Sequence, residues 1–412
     1  GWLAKSSVDD ADYGADPTFV DFDKVSRSKM ALLREAFAGF TDDVGYTSFV
    51  IDEQDWLEDY ALFTALKSKF GGKPYTQWDE DIKMRKPEAL KRWREELSEE
   101  IKFVKFVQYV FWRQWDRFHR YCNKNGIQLI GDIPIYVSPD CADVWAQPEL
   151  FELNEKHEPK RVAGVPPDYF SKTGQLWGNP LYNWQEMHKT GYKWWLQRIG
   201  KAQESFDMLR IDHFRAFDTY YAIPAGELTA ERGVWEKGPG MELFNAVKND
   251  LGDVNIIAED LGDIFESVKK LLRDTGFPGM RVLQFGFNAE HTDNDHLPHN
   301  YPANCCAYTG THDNSTIMEW LREADPRAKA MAKSYVDQRL FERFNMACVR
   351  TVYASPAALA IIPMQDILGL GKEARMNVPS TVGGNWKWRM LPGKLSAAKA
   401  EKLRALAETY FR

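Results

Sequence analysis

Several features that mark common classes of protein are scarce or missing in this sequence. Its 412 residues include only five cysteines and no Cys-X-X-Cys pair, so neither a disulfide framework nor a zinc knuckle is indicated. No apolar run approaches the roughly 20 residues of a membrane span, and the first residues lack the basic and apolar blocks of a signal peptide. These absences predict a cytoplasmic protein without a membrane partner.

An excess of positive charge is also missing. The chain has 53 Lys and Arg against 60 Asp and Glu, which gives a net charge of -7. This mildly acidic balance argues against nucleic acid as the main partner. Aromatic residues, in contrast, are abundant at 14%, with fifteen tryptophans. Most of them are expected to fill the core, but flat aromatic faces also line grooves for sugar rings or bases.

The pattern of apolar residues changes near residue 125. Before it, helical patterns cover 29–40, 55–70 and 87–125. After it, short apolar runs alternate with helical stretches, which predicts a parallel sheet with right-handed crossovers. No glycine-rich GxGxxG loop follows any of these runs, so a dinucleotide-binding sheet is disfavoured. The strand-like runs are 128–137, 207–214, 254–261, 280–287, 305–313 and 358–366.

The predicted fold is α/β, a (β/α)8 barrel of the TIM type with helical and loop insertions. Six strand-like runs fall short of the eight strands of a closed barrel, so the barrel is expected to be incomplete at its N-terminus. We assign residues 1–125 to a mainly helical insertion region and 126–412 to the catalytic barrel. A long loop insertion at 138–192, rich in Pro, Gly, Trp and Tyr, is expected to lie over one face of the barrel.

Acidic residues lie at the ends of several strand-like runs. Asp212, Glu259 and Asp313 end three of them, Asp366 ends the last, and Asp132 lies in the first. The carboxyl ends of barrel strands gather at one mouth, where catalytic groups lie, so we expect these side chains to converge.

Such carboxylates match the chemistry of retaining glycoside cleavage. One ionised carboxylate attacks the anomeric carbon, and a protonated one, about 5–5.5 Å away, serves the leaving oxygen. Arg210 lies on the same side of its strand as Asp212 and would keep it ionised. The apolar setting of Glu259 would raise its pKa toward the acid role. Asp313 would hold substrate hydroxyls.

Other interpretations remain open for the same residues. A carboxylate after a strand usually caps the next helix, and Asp263 and Asn314 are predicted caps. His213 and His312 lie beside acidic residues and are possible metal ligands. Neither belongs to an HxH or HExxH pair, so hydrogen bonding to a substrate is the preferred role.

These residues lie in motifs that resemble the amylomaltase family, the 4-α-glucanotransferases or disproportionating enzymes, which are related to the α-amylases. The resemblance runs from about Phe22 to the C-terminus, and the motifs follow in the family's order and spacing. They are GDIPIYVSPDCADVW (131–145), AGVPPDYFSKTGQLWGNPLYNW (163–184), LRIDHFRAF (209–217), IIAEDLG (256–262), YTGTHDN (308–314) and MNVPSTVGGNWKWR (376–389).

The resemblance implies an activity and roles for the site residues. The family transfers an α-1,4-glucan segment between maltodextrin chains through a covalent glycosyl-enzyme, without metal or cofactor. By resemblance, Asp212 is the nucleophile, Glu259 the acid/base and Asp313 the transition-state stabiliser. The residues expected to bind substrate are Arg210, His213, His312, Asn314, Trp177, Asn179, Asn377 and Pro379.

The resemblance also concerns the start of the chain and the lid. Family members begin with two further barrel strands, so an N-terminally truncated piece is expected. The segment 230–240 resembles the family's flexible lid, which would exclude water from the intermediate. Expected partners are maltooligosaccharides and glucans derived from starch or glycogen. The alternatives are an α-1,4-glucan hydrolase, a non-catalytic glucan-binding remnant and, more distantly, a metal-dependent barrel enzyme.

Overall fold

The structure, a computed structural model, describes residues 2–167, 171–262, 264–287 and 294–412. Two compact units make up the chain. Unit 1 comprises Gly1–Ala4 and Leu32–Gly276, and unit 2 comprises Lys5–Ala31 and Phe277–Arg412. The sequence-based division at residue 125 stays a prediction. Within the described residues, no helix combines the length and the apolar character needed to cross a membrane.

Strands are short and helices are numerous. The strands are β1 (Ile130–Pro134), β2 (Arg161–Val165), β3 (Gln175–Pro180), β4 (Met208–Asp212), β5 (Thr219–Pro224), β6 (Val234–Lys237), β7 (Ile256–Ala258), β8 (Gly279–Val282), β9 (Cys305–Tyr308) and β10 (Leu359–Ile361). The helices are α1 (Lys5–Asp9), α2 (Phe22–Ala38), α3 (Val44–Asp52), α4 (Gln54–Lys69), α5 (Glu80–Lys83), α6 (Pro87–Glu96), α7 (Ser98–Lys124), α8 (Ala142–Ala146), α9 (Trp184–Lys189), α10 (Lys193–Ser205), α11 (Met241–Leu251), α12 (Glu266–Thr275), α13 (Leu283–Gly286), α14 (Ile317–Glu323), α15 (Pro326–Tyr335), α16 (Phe344–Tyr353), α17 (Met364–Leu368) and α18 (Ala397–Thr409).

Unit 1 contains three parallel strands, β1, β4 and β7, in that spatial order. Buried strands read as continuous apolar runs, and Leu209, Ile211, Ile256 and Ile257 are all 2% exposed or less. Each strand falls inside one of the predicted runs. A helical layer precedes them, in which aromatic residues of α7 pack with residues of α2 and α3.

A second, antiparallel sheet of unit 1 was not predicted. Its strand order is β3-β2-β5-β6, so the predicted loop insertion at 138–192 contains two paired strands, and the predicted lid at 230–240 contains β6. Sequence patterns missed this sheet because three of its strands, β2, β3 and β6, are not continuous apolar runs and contain Arg161, Gln175 and Glu236. Their partners also lie up to about 60 residues away, where local patterns carry no pairing information.

Unit 2 contains the parallel strands β8, β9 and β10, with β9 in the middle. The helical stretch expected between the strand-like runs 305–313 and 358–366 consists of three helices, α14, α15 and α16. Pro326 opens α15, with Asp325 as its N-cap. Asp337 and Phe341, between α15 and α16, have positive φ angles, which a continuous helix does not allow.

Asp366 corrects one prediction. It lies inside α17 rather than at the end of β10, and its side chain is 1% exposed. It accepts hydrogen bonds from Thr309 Oγ1 (2.5 Å) and from the backbone N–H of Ile317 (2.8 Å), at the start of α14. Burial raises its pKa to about 6. These contacts indicate a structural role in unit 2.

We expect Asp366→Ala to lower the free energy of unfolding by about 2–4 kcal/mol, because two buried donors lose their acceptor. Asp366→Asn keeps an acceptor and nearly the same shape, so it should cost clearly less. Urea unfolding of both variants measures the difference. Equal losses for Ala and Asn would contradict the role given to these two hydrogen bonds.

Candidate active site

The site in unit 1 begins where β4 and β7 end. Their register pairs Ile211 with Ala258, so Asp212 and Glu259 are the next residues on neighbouring strands. The backbone N–H of Glu259 donates to the Ile211 carbonyl (3.1 Å). Neighbouring strands lie about 4.8 Å apart. The fold therefore brings these two carboxylates, 47 positions apart in sequence, to the same strand end.

Arg210 positions Asp212. Its Nη2 lies 2.8 Å from Asp212 Oδ1, and its Nη1 lies 2.8 Å from both carboxylate oxygens of Asp132. The register of β1 and β4 places Asp132 directly opposite Arg210. The guanidinium is nearly buried, so it is held in place by its two acidic partners. A cation at this distance favours the ionised form of Asp212 and fixes its orientation.

Glu259 has a different environment from Asp212. It is 8% exposed, whereas the Asp212 side chain is 45% exposed. Burial, together with the nearby charge of Asp212, raises the pKa of Glu259 to about 7. Its two oxygens accept hydrogen bonds from the backbone N–H groups of His213 (2.7 Å) and Leu261 (2.9 Å). One carboxylate is thus held ionised and its neighbour is protonated near neutral pH, the division that acid/base catalysis requires.

Aromatic residues lie beside this pair. The His213 backbone adopts a left-handed conformation (φ 54°), and its ring meets the Trp177 ring edge to face, with centroids 4.7 Å apart. Burial, with the charge of Arg215, lowers the pKa of His213 to about 3, so the ring is neutral. Trp177, on β3, is 37% exposed. Asn179, on the same strand, donates its side-chain N–H to the Val137 carbonyl (2.8 Å).

Unit 2 holds the second group of predicted residues. Asn377 Nδ2 donates to Asp313 Oδ1 (2.5 Å), and His312 Nε2 lies 3.3 Å from Asp313 Oδ2. The backbone N–H of Asn377 donates to the His312 carbonyl (3.1 Å). Three predicted residues from two distant segments thus meet around one carboxylate.

The other predicted residues have simpler surroundings. The Asn314 side chain accepts from the backbone N–H and the hydroxyl of Thr311, which closes a local turn. Pro379 is exposed in the segment after Asn377. The predicted cap Asp263 lies outside the described residues. In the part of the chain that the structure describes, no three His, Cys, Asp or Glu side chains form a group suited to a metal ion.

Sequence reasoning missed two residues of unit 2, Trp386 and Arg375. The Trp386 ring lies 5.0 Å from that of His312 and is 47% exposed. Arg375 donates to the backbone carbonyls of Asn377 (3.0 Å) and Asp313 (3.2 Å) and to the Ser315 hydroxyl (3.1 Å). Trp386 lies inside the 376–389 motif, and Arg375 lies one position before it. Their closeness to this motif was the sequence signal that could have identified both residues.

We expect Arg375→Met to lower the glucan-transfer activity that the sequence motifs imply by about 10²-fold, because the Asp313 and Asn377 segments lose one of the groups that join them. Arg375 donates to two backbone carbonyls and a hydroxyl through three different nitrogens. A lysine has a single nitrogen, so Arg375→Lys should recover only part of the rate. Circular dichroism checks the fold. A Met variant with the wild-type rate would show that these contacts do not position Asp313.

Two carboxylates at neighbouring ends of parallel strands, one ion-paired and one buried, are the arrangement of barrel enzymes that cleave glycosidic bonds. Comparison with known proteins gives the family. A model of the 4-alpha-glucanotransferase family matches residues 2–395, and the chain belongs to that family.

Similar proteins cover nearly the whole chain. The 4-alpha-glucanotransferase of Clostridium butyricum is 44% identical, over 100% of this chain and 85% of that protein. The corresponding protein of Thermus thermophilus is 45% identical, over 95% and 82%. The structure of amylomaltase from Streptococcus agalactiae in complex with acarbose matches with a TM-score of 0.97 at 40% identity, over 100% of this chain and 84% of that one. The predicted family and the α/β barrel fold with helical insertions are confirmed.

Proposed function

We propose that this 4-α-glucanotransferase moves an α-1,4-glucan segment between maltodextrin chains by a retaining double displacement. The main observation behind this proposal is that two carboxylates at adjacent strand ends have different environments. Asp212 is ion-paired to Arg210, and burial raises the pKa of Glu259 to about 7. Donors and acceptors are maltooligosaccharides and glucans derived from starch or glycogen. A cytoplasmic location remains the prediction.

In the first step, Asp212 attacks the anomeric carbon and the glycosidic C–O bond breaks. Glu259 gives its proton to the departing 4-oxygen, so the leaving chain is released as a neutral alcohol. In the second step, the Glu259 carboxylate takes the proton of an acceptor 4-hydroxyl, which attacks the same carbon. The bond to Asp212 breaks, its carboxylate is regenerated, and configuration is retained.

Other residues support the sugar in this proposal. Asp313, held by Asn377 and His312, binds hydroxyl groups of the distorted ring. The half-exposed ring of Trp177, beside His213, offers an apolar face to a glucose unit. In unit 2, the half-exposed ring of Trp386, beside His312, offers another such face.

The direct test is incubation of the purified chain with maltotriose. Transfer gives glucose together with a ladder of longer maltooligosaccharides, which chromatography resolves. Hydrolysis gives glucose and maltose only, and would overturn transfer while leaving the carboxylate assignment intact. An unchanged substrate would support a glucan-binding protein without turnover.

A further inference from the structure

A cavity in unit 1 is lined by residues other than the proposed catalytic groups. Its volume is about 980 Å³, within the range of ligand sites. The segment 148–161, the start of α9 and the strands β5 and β6 form its walls. The lining residues used in the argument below are Glu152, His157, Arg161, Trp184, Gln185 and Tyr220. None of the residues assigned to catalysis or substrate binding above lines it.

An aromatic ring forms part of one wall. Trp184 is half-buried, and it stacks on the fully buried Trp195, with ring planes 19° apart. The Tyr182 ring packs against it at 5.0 Å. These contacts hold the indole in one orientation. A fixed aromatic ring bordering a cavity is a surface on which the apolar face of a sugar can stack.

Two lining side chains can hydrogen-bond a ligand that carries hydroxyls. Tyr220 lines the cavity and is 6% exposed. His157 also lines it, and its Nδ1 atom is buried and has no hydrogen-bond partner among the described residues. Buried polar groups are ordinarily satisfied, because an unmade hydrogen bond is costly. The imidazole of His157 therefore has hydrogen-bonding capacity that the described residues do not use.

The cavity walls carry charges of both signs, from Glu149, Glu152, Glu186 and Glu236 and from Lys160, Arg161 and Lys237. Arg161 binds both carboxylate oxygens of Glu152 (2.7 and 2.8 Å) and an oxygen of Glu236 (2.8 Å). Neither sign dominates, so the lining favours neither an anion nor a cation. A neutral ligand fits this lining best, because its hydroxyl groups can accept hydrogen bonds from the cations and donate them to the carboxylates.

We propose that this cavity is an accessory binding site for a linear α-glucan. The choice of glucan among neutral sugars rests on the proposed function. Trp184 stacks on a glucose ring, and Tyr220 and His157 bond its hydroxyls. Trp177, on the proposed active site, is seven residues from Trp184, at most about 25 Å along the chain. One long maltodextrin bound at both places would be retained between successive transfers.

The test uses calorimetric titration of maltoheptaose into the Asp212→Asn protein, which binds without turnover. We expect two binding sites. Adding Trp184→Ala should weaken one of them about tenfold or more and leave the other in place. Tyr220→Phe, which removes only the hydroxyl, should weaken the same site several-fold. Trp56→Ala, at a half-buried tryptophan outside the cavity, is the matched control and should retain both sites.

Two results would overturn the accessory site: a single site in the Asp212→Asn parent, or two unchanged sites in Trp184→Ala. If Trp184→Ala fails to fold, Gln185→Trp replaces it, because the larger ring would fill the cavity from an exposed position and should cause the same loss. Failure of the proposed function appears separately, as wild-type protein that produces no ladder from maltotriose.

Discussion

Asp212→Asn should abolish glucan transfer, with a loss of about 10⁴-fold or more, while the protein stays folded. The amide keeps the shape of the carboxylate but cannot form the glycosyl ester. Arg210 retains its contact with Asp132, and the Asp212 side chain is 45% exposed, so the free energy of unfolding should change by about 1 kcal/mol or less. Turnover of maltotriose and urea unfolding measure the two effects.

A matched control separates loss of charge from loss of the nucleophile. Asp253→Asn removes a carboxylate of unit 1 whose side chain is 99% exposed, and it should retain wild-type transfer. Substantial transfer by Asp212→Asn would exclude Asp212 as the nucleophile. Equal losses in the two variants would point to a general effect of charge in place of covalent catalysis.

The residues of the catalytic pair could be predicted because they follow runs with strong local signals. Buried parallel strands read as continuous apolar stretches, and an acidic residue directly after such a stretch is conspicuous. Asp212 and Glu259 both stand in this position, and the register that pairs Ile211 with Ala258 places them side by side. Asp366 looked equivalent, yet the chain turns into α17 before reaching it. The end of a strand is set by tertiary packing, which local patterns do not record.

The residues and strands that surround the two candidate sites were harder to predict than the catalytic carboxylates. Arg375 works through backbone carbonyls, whose positions depend on the fold of two segments about 60 residues apart. The antiparallel sheet of unit 1 also depends on pairing between distant segments. Motif resemblance located the general region of Trp177 and Asn377, but only coordinates show what each side chain contacts.

Glu259→Gln should also abolish transfer between ordinary maltodextrins, but the loss should depend on the leaving group. A sugar 4-oxygen needs the Glu259 proton to depart, whereas fluoride does not. With α-maltosyl fluoride the first step should therefore proceed, and the second should be slow because no base activates the acceptor. The glycosyl-enzyme should accumulate, and mass spectrometry should find a maltosyl group on the Asp212 peptide. A variant that reacts equally slowly with both donors would contradict the acid/base role.

The pH dependence of activity provides an independent check. The pKa of Glu259 is about 7, so wild-type transfer should fall as pH rises through 7 and the general acid loses its proton. This decrease in activity with rising pH should be missing when Glu259→Gln is assayed with the fluoride donor, since glutamine does not titrate. If the decrease persists in the variant, the group that titrates near pH 7 is not Glu259.

Stability should follow the same pKa with a defined sign. The folded pKa lies above the unfolded value of 4.5, so the folded state holds the proton more tightly than the unfolded chain does. The associated stability is complete below about pH 4.5 and is lost as pH rises to 7, on the order of 3 kcal/mol in total. Glu259→Gln lacks this loss, so its unfolding free energy relative to wild type should rise between pH 5 and pH 8. A constant difference across that interval would show that Glu259 is not held protonated by its buried setting, and the division of labour between the two carboxylates would need another cause.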